Sequence, residues 1–326
     1  MRLKKENDMS KTDFLKEKER VVSLLTEKGV KEDHAKIVAD CFVTADMYGV
    51  TSHGVAILPS HIQRIERGGY NLNPDFNVIR ETASFAIIDG DNSIGPVCAS
   101  YCMDYAVEKS RESGIFTVLS RNNNTFGPAF YYPLMAAEKG CIGIAFSNSP
   151  AQMAPFGGKE KMLGTNPFSM VIPCGDKDPI IVDMATSVVA KSKFKEYKAE
   201  NKPLPEGWAL DINGKPTTDP DEGMAGLVLP MAGFKGYGIA MMIDILSGVI
   251  SGASYLNKAG RFYSENNACM DVGFTFIAID PKVVFGEDYE KIMEEYVDTL
   301  RNSEKAEGSV ITLPGDDRIK NFKENT

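Results

Sequence analysis

Apolar residues recur at helical spacing through the opening part of this chain. From Phe14 to Lys28, the residues Leu15, Val21, Val22, Leu24 and Leu25 share a face, and Gly29 ends the run. His34 to Met47 repeats the pattern with Ile37, Val38, Cys41, Phe42 and Ala45. Ile57 to Ile65 forms a third amphipathic run, closed by Gly68-Gly69, and Asn73-Pro74 marks a turn. The pattern then alternates between element types. It predicts strands at Ser84–Ile88, Phe116–Ser120 and Ile142–Ser147, with helices at Val97–Glu112 and Ala129–Lys139 between them. Ser169–Ile172 and Ile180–Val182 read as two strands joined at Gly175-Asp176 as a hairpin.

Tyr197 to Pro230 is rich in Pro, Gly, Asp and Thr, holds Trp208, and reads as an ordered excursion. The apolar run Ile239–Ile250 predicts a buried helix. It is shorter than a membrane span and contains Asp244 and Ser247. A strand at Phe274–Ile279, a charged helix at Glu287–Arg301 and a polar tail follow. Crossovers mixed with hairpins predict an α/β fold of the mixed α+β kind, with a mixed, largely antiparallel sheet covered by helices.

With 326 residues the chain is long enough for two domains and a sizeable core. A formal charge of −9 argues against nucleic acid or an anionic membrane as the main partner. The opening Met1-Arg2-Leu3-Lys4-Lys5 continues into Glu6, Asn7 and Asp8, which is not the pattern of a secretory leader. The six cysteines form no C-x-x-C pair. Cys98 and Cys102 lie four apart with no histidine near them in sequence, so free buried thiols, no metal and a reducing cytoplasm are expected.

Chemistry concentrates in a few segments. Histidine exchanges its proton near neutral pH, and the chain has only three. His53, between Ser52 and Gly54 at an expected helix start, is a candidate general acid or base; a capping histidine is the plainer alternative. No G-x-G-x-x-G or G-x-x-x-x-G-K-[ST] turn is present. Three other small-residue clusters are: Gly164-Thr165-Asn166-Pro167, preceded by Pro155-Phe156-Gly157-Gly158; Asp183-Met184-Ala185-Thr186-Ser187; and Gly233-Phe234-Lys235-Gly236-Tyr237-Gly238. The last two are expected at helix N-termini, where backbone N–H groups and the dipole favour an anion. Together they point to a diphosphate cofactor held without a Rossmann turn, although ordinary capping also accounts for Thr186-Ser187.

In this order, with Arg121–Gly127, Pro205-Glu206-Gly207-Trp208-Ala209, Thr217-Thr218-Asp219-Pro220, Leu246-Ser247-Gly248-Val249 and Leu313-Pro314-Gly315, the motifs resemble those of the type 2 malate/L-lactate dehydrogenase family along almost the whole chain. The resemblance implies a homodimer with a non-Rossmann nicotinamide-binding domain. It also implies hydride transfer between NAD or NADP and a small 2-oxo acid or 2-hydroxy acid. The expected division is a helical part over 1–115 carrying the catalytic histidine, a cofactor-binding domain over 116–259, and a segment over 260–326 completing the first part. Carried over by position, His53 is the acid/base, with Asp183 orienting it and raising its pKa. Ser149, Thr165, Asn166, Ile181, Val182, Asp183, Met184, Ala185, Thr186, Ser187, Lys235, Gly315 and Asp316 would contact the cofactor.

The chain departs from the family pattern on the substrate side. A common arginine four residues after the histidine is Ile57, a common tyrosine eight residues after it is His61, and the histidine of R-N-x-N-H-F-G is Thr125. An arginine fork holds a carboxylate by charge-assisted bonds, and losing it costs roughly 2–5 kcal/mol of recognition unless something replaces it. Spacing on one helix face makes His61 a candidate replacement; a subunit interface at Ile57 and His61 is the alternative. Asn124, Thr125 and Asn148 are the remaining pocket candidates. A nicotinamide-binding protein that has lost catalysis is the competing function.

Overall fold

The computed structural model describes residues 11–264 and 267–325; the opening Met1–Asp8 segment discussed above lies outside them. Two helices, α1 (Lys11–Glu27) and α2 (Glu32–Met47), pack against one another. Glu32 and Asp33 in the first turn of α2 complement the positive end of its dipole. The buried face of α2 is Ala35, Val38, Ala39, Cys41 and Phe42, continuous with the main core. α3 (Leu58–Glu66) follows, then β1 (Asn77–Glu81), β2 (Phe85–Asp89), the crossover helix α4 (Gly95–Ser113), β3 (Ile115–Asn123), α5 (Tyr131–Glu138) and β4 (Ile142–Ser147). β5 (Phe168–Cys174) and β6 (Lys177–Met184) make the hairpin expected around Gly175-Asp176.

These strands join β10 (Val272–Ile279) in one seven-stranded sheet of order β1-β2-β3-β10-β4-β5-β6. Only β2 and β3 run parallel, because α4 carries the chain back between them; every other neighbour is antiparallel. The mixed, largely antiparallel sheet is therefore as expected. All three segments, 1–115, 116–259 and 260–326, contribute strands to it. The core it covers is aromatic: Phe126 meets Phe274 at 4.6 Å between ring centroids, and Tyr132 stands edge-on to Phe276. Emptying such a position to alanine costs about 3–5 kcal/mol.

The excursion holding Trp208 is ordered as a satellite. α6 (Ser192–Ala199), β7 (Ala209–Leu210), β8 (Pro216–Thr217), α7 (Pro220–Ala225) and β9 (Leu227–Val228) surround Phe194, Leu204 and Met153. Asp219 caps α7 by accepting from the backbone N–H groups of Asp221 and Glu222. α8 (Phe234–Asp244) then runs into a π-helical turn, Ile245–Ile250. After β10 come α9 (Pro281–Val284), α10 (Tyr289–Arg301) and α11 (Asp316–Asn325).

Four expectations need correction. β1 was not foreseen, because all its residues are exposed and it carries no apolar alternation. Ile239–Ile250 is not buried throughout. Ala240, Ile243 and Ser247 face inward, but Met241, Met242, Ile245, Val249 and Ile250 are exposed. The polar tail contains α11, which buries Ile319. No helix opens at Thr186-Ser187: β6 runs to Met184 and α6 begins only at Ser192. Among the described residues all six cysteines are free, no His/Cys/Asp/Glu cluster could hold a metal, and no helix is long and apolar enough to cross a membrane.

His61 lies inside the core. Its ring stacks on Tyr70 and tilts against Phe42 and Phe262, and its Nδ1 pairs with the Tyr70 hydroxyl at 2.9 Å. Burial, helped by the nearby Arg64 guanidinium, pulls its pKa from 6.5 down to about 3. The unfolded chain therefore takes up a proton below about pH 6.5 that the folded chain refuses, so stability must fall on acidification through that window. The expected contribution is about 1.4 kcal/mol per pH unit. Urea unfolding between pH 6.5 and 4.5 should show a shallower pH dependence for His61→Leu combined with Tyr70→Phe. Equal slopes would mean that His61 is protonated within the fold.

Candidate functional site

The segment after α2 is built from two short turns. Thr51–His53 makes a 3-10 turn, Gly54 is extended, and Val55–Ile57 makes a second 3-10 turn before α3. Glycine at 54 follows from the end of α2: a Cβ there would lie 1.8 Å from Asp46 Oδ1, while Asp46 Oδ2 accepts the Val55 N–H at 2.9 Å. The break at Gly54 means that His53, Ile57 and His61 do not share a helix face. Ile57 is half-buried and packs on the main core, and His61 belongs to that core. His61, closed off inside that core, cannot replace a carboxylate clamp.

His53 keeps a face open to solvent, and its Nδ1 lies 2.8 Å from the Ser52 hydroxyl. The protein crowding the ring lowers its pKa below 6.5, and the Arg318 charge lowers it further. Asp183, at the end of β6, does not orient this ring. Its carboxylate pairs at 2.7 Å with Nη2 of Arg318, which rises from α11. Burial raises the Asp183 pKa and Arg318 opposes that rise. The Arg318 guanidinium lies 5.2 Å from the centroid of the Phe130 ring, and its buried Nη1 has no hydrogen-bond partner among the described residues. Thus the expected Asp183–His53 pair is replaced by an Asp183–Arg318 pair whose cation acts on His53. The histidine is shifted down, not up.

The segments expected around the cofactor converge. The Ser149 N–H donates to Asn166 Oδ1 at 3.0 Å, and Asn166 Nδ2 donates to the Ala240 carbonyl in α8 at 2.9 Å. Thr186 donates from N and Oγ1 to the Thr165 carbonyl, and its own carbonyl accepts the Met231 N–H. Ser187 Oγ donates to the Val189 carbonyl, and the Val182 carbonyl accepts from Ser169. Met184 is exposed and Ala185 half-buried beside them. The Pro314 carbonyl accepts the Ile181 N–H at 2.9 Å. Gly315, at φ 97°, lets this turn approach: a Cβ would lie 2.7 Å from Ile181 Cβ. Asp316 is engaged by Arg301 at 2.7 and 3.0 Å and by the Leu313 N–H.

Lys235 is exposed in the first turn of α8, with no ion pair among the described residues. The expected free amides are not there, since the N–H groups of Lys235, Gly236 and Tyr237 already donate to Ala232, Met231 and Gly233. What the frame offers an anionic dinucleotide is the exposed Lys235 ammonium, whose charge fits such a cofactor.

Two asparagines expected at the substrate are committed elsewhere. Asn124 Oδ1 accepts from Arg64 and from the Met270 N–H, and its Nδ2 donates to Asn92 and Ser93. Asn148 binds the Gly273 N–H, the Ser254 carbonyl and Asp244. Both are buried and tie loops together. Thr125 is half-buried, and its carbonyl abuts Gly95. Sequence reasoning missed Arg318. Its signal was present: Asp316-Asp317 starts a helix whose Ile319 and Phe322 lie three apart.

The family model described as malate/L-lactate dehydrogenase matches residues 13–326. An L-sulfolactate dehydrogenase of Methanocaldococcus jannaschii is 40% identical over 306 residues, 94% of this chain and 88% of that protein. A solved sulfolactate dehydrogenase structure from the same organism superposes with TM-score 0.89, covering 95% of this chain and 90% of that one. A malate dehydrogenase of Pyrococcus horikoshii is 43% identical over 293 residues, 87% of this chain and 81% of that protein. Relatives whose names carry the cofactor include a ureidoglycolate dehydrogenase (NAD(+)) of Escherichia coli K12, 37% identical over 85% of this chain and 78% of that protein. Another is a (2R)-3-sulfolactate dehydrogenase (NADP(+)) of Chromohalobacter salexigens, 31% identical over 94% of this chain and 90% of that protein. The chain belongs to the malate/L-lactate dehydrogenase family and is an oxidoreductase that works with NAD or NADP.

Proposed function

We propose that this chain interconverts a small 2-hydroxy acid and its 2-oxo acid, with His53 as the proton acceptor in one direction and donor in the other. The observation that carries the reading is His53 itself: open on one face, bonded to Ser52, and within the field of Arg318, which favours its neutral form. Bound NAD(P) supplies or accepts the hydride. Ser149, the 181–187 segment, Lys235 and the Gly315 turn form the frame that holds it. In the oxidative direction neutral His53 takes the hydroxyl proton; in the reductive direction its imidazolium returns a proton to the carbonyl oxygen. Arg318 Nη1 supplies the donor for the substrate carboxylate that Ile57 cannot provide. The names of relatives acting on malate and sulfolactate accord with an acid of this kind.

The same reading includes a homodimer. Phe234, Met241, Met242, Ile245, Val249 and Ile250 expose apolar surface along α8 and the π-helical turn, Phe234 to the extent of 65%. A second copy covering this face accounts for an apolar run that its own chain leaves uncovered.

Three measurements test these points. His53→Ala should lower turnover by roughly 10²–10⁴-fold while NADH fluorescence titration gives an almost unchanged affinity; equal turnover would sink the assignment. The acidic limb of kcat/KM for hydroxy acid oxidation should fall below pH 6.5, since burial and Arg318 disfavour the imidazolium. Arg318→Met should move that limb to higher pH and raise KM for the acid, whereas Arg318→Lys should keep the limb in place. A limb that ignores the charge at 318 would remove Arg318 from the mechanism. Sedimentation velocity should show a dimer for the wild type and a monomer for Met241→Glu combined with Ile245→Glu.

A further inference from the structure

Among the described residues, two lysines sit side by side with no carboxylate on either. Lys161 Nζ donates to the Ala225 carbonyl at 2.8 Å, and Lys191 Nζ donates to the adjacent Gly226 carbonyl and to Gln152 Oε1, both at 3.0 Å. Two ammonium groups thus sit on consecutive carbonyls where α7 gives way to β9, and the charge of Arg261 bears on both. Among the described residues none of the three forms an ion pair, in a chain whose formal charge is −9.

The donor count leaves room for a ligand. An ammonium has three N–H donors and a guanidinium five. Lys191 uses two of its donors and Lys161 one, while the Arg261 fork has no side-chain acceptor among the described residues. Burial pulls Lys191 down to about 8, and the neighbouring cations add to the shift, so their mutual repulsion is uncompensated. Lys161 and Lys191 are half-buried and Arg261 is exposed at their edge; like charges held together in part out of water are destabilising unless an anion joins them. Ser187 bridges to Pro230, the Val188 N–H donates to the Leu229 carbonyl and the Val228 N–H to that of Gln152, so β9 joins the cluster to the 181–187 segment.

We propose that Lys161, Lys191 and Arg261 form a binding site for a tetrahedral oxyanion, a phosphoryl or sulfonyl group. That the group is carried by the cofactor, as a ribose phosphate, or by the substrate, as a second acid group, rests on the dehydrogenase reading; the site itself does not. Inorganic phosphate is the probe. Calorimetric titration should show that Lys161→Ala combined with Arg261→Ala weakens phosphate binding at least tenfold, with far-UV circular dichroism unchanged. Unchanged affinity, or weakening by Lys235→Ala alone, overturns the site. A tenfold rise of KM for NADPH with NADH unaffected assigns the group to the cofactor. The same rise for a sulfonated 2-oxo acid, with a monocarboxylic one unaffected, assigns it to the substrate. If phosphate binding weakens and neither KM moves, the site stands and its assignment to cofactor or substrate is overturned. A protein inactive on every acid that still shows the phosphate effect would refute the dehydrogenase reading and leave the site standing.

Discussion

The central position of β10 is the constraint on which the rest of the structure depends. This strand lies late in the chain, yet it stands between β3 and β4 and pairs antiparallel with both. Phe274 and Phe276 send the aromatic core outward from it, and both α4 and the π-helical turn pack against it. Gly273 allows that contact: a Cβ there would meet the Ser247 carbonyl at 1.4 Å. Ser247 and Thr275 exchange a hydrogen bond across the same seam at 3.0 Å. The chain between β4 and β10, which includes Ser149, the 181–187 segment, Lys235 and the satellite sheet, is thus a long excursion whose two ends meet in adjacent strands. Pairings this distant in sequence cost loop-closure entropy before they are rewarded.

The same geometry brings the chemistry together. β6 forms one edge of the sheet and ends at Asp183 and Met184, while α11 returns from the far end of the chain to set Arg318 on Asp183. A buried carboxylate needs a partner. Meeting that need with a guanidinium places a positive charge near His53, which favours the neutral imidazole. One ion pair therefore satisfies Asp183, anchors α11 and tunes a histidine on a different segment.

Much of the fold could be read from periodicity, because strands such as Ile142–Ser147 and helices such as Val97–Glu112 bury enough residues to leave a clear repeat. β1 could not, since an exposed edge strand has no apolar side to mark it. The Ile239–Ile250 run was apolar as read, but composition does not reveal whether the chain itself covers such a surface. At the site, small-residue clusters marked segments that do converge, because close backbone approach leaves a mark in glycine and threonine. Partnerships left none. Asp183 with Arg318, His61 with Tyr70 and Asn124 with Arg64 each join residues from separate segments, and only the folded chain shows which pairs meet.

The turn carrying His53 has its own set of contacts: Asp46 clamps Val55, Gly54 clears the clamp, and Arg318 acts through its field. The cofactor frame is laced together by a different set of bonds, from Ser149 to Asn166 and from Thr165 to Thr186. Substitutions within the turn therefore leave those bonds in place, and Arg318, paired with Asp183, is the side chain through which a change on either side is felt on the other.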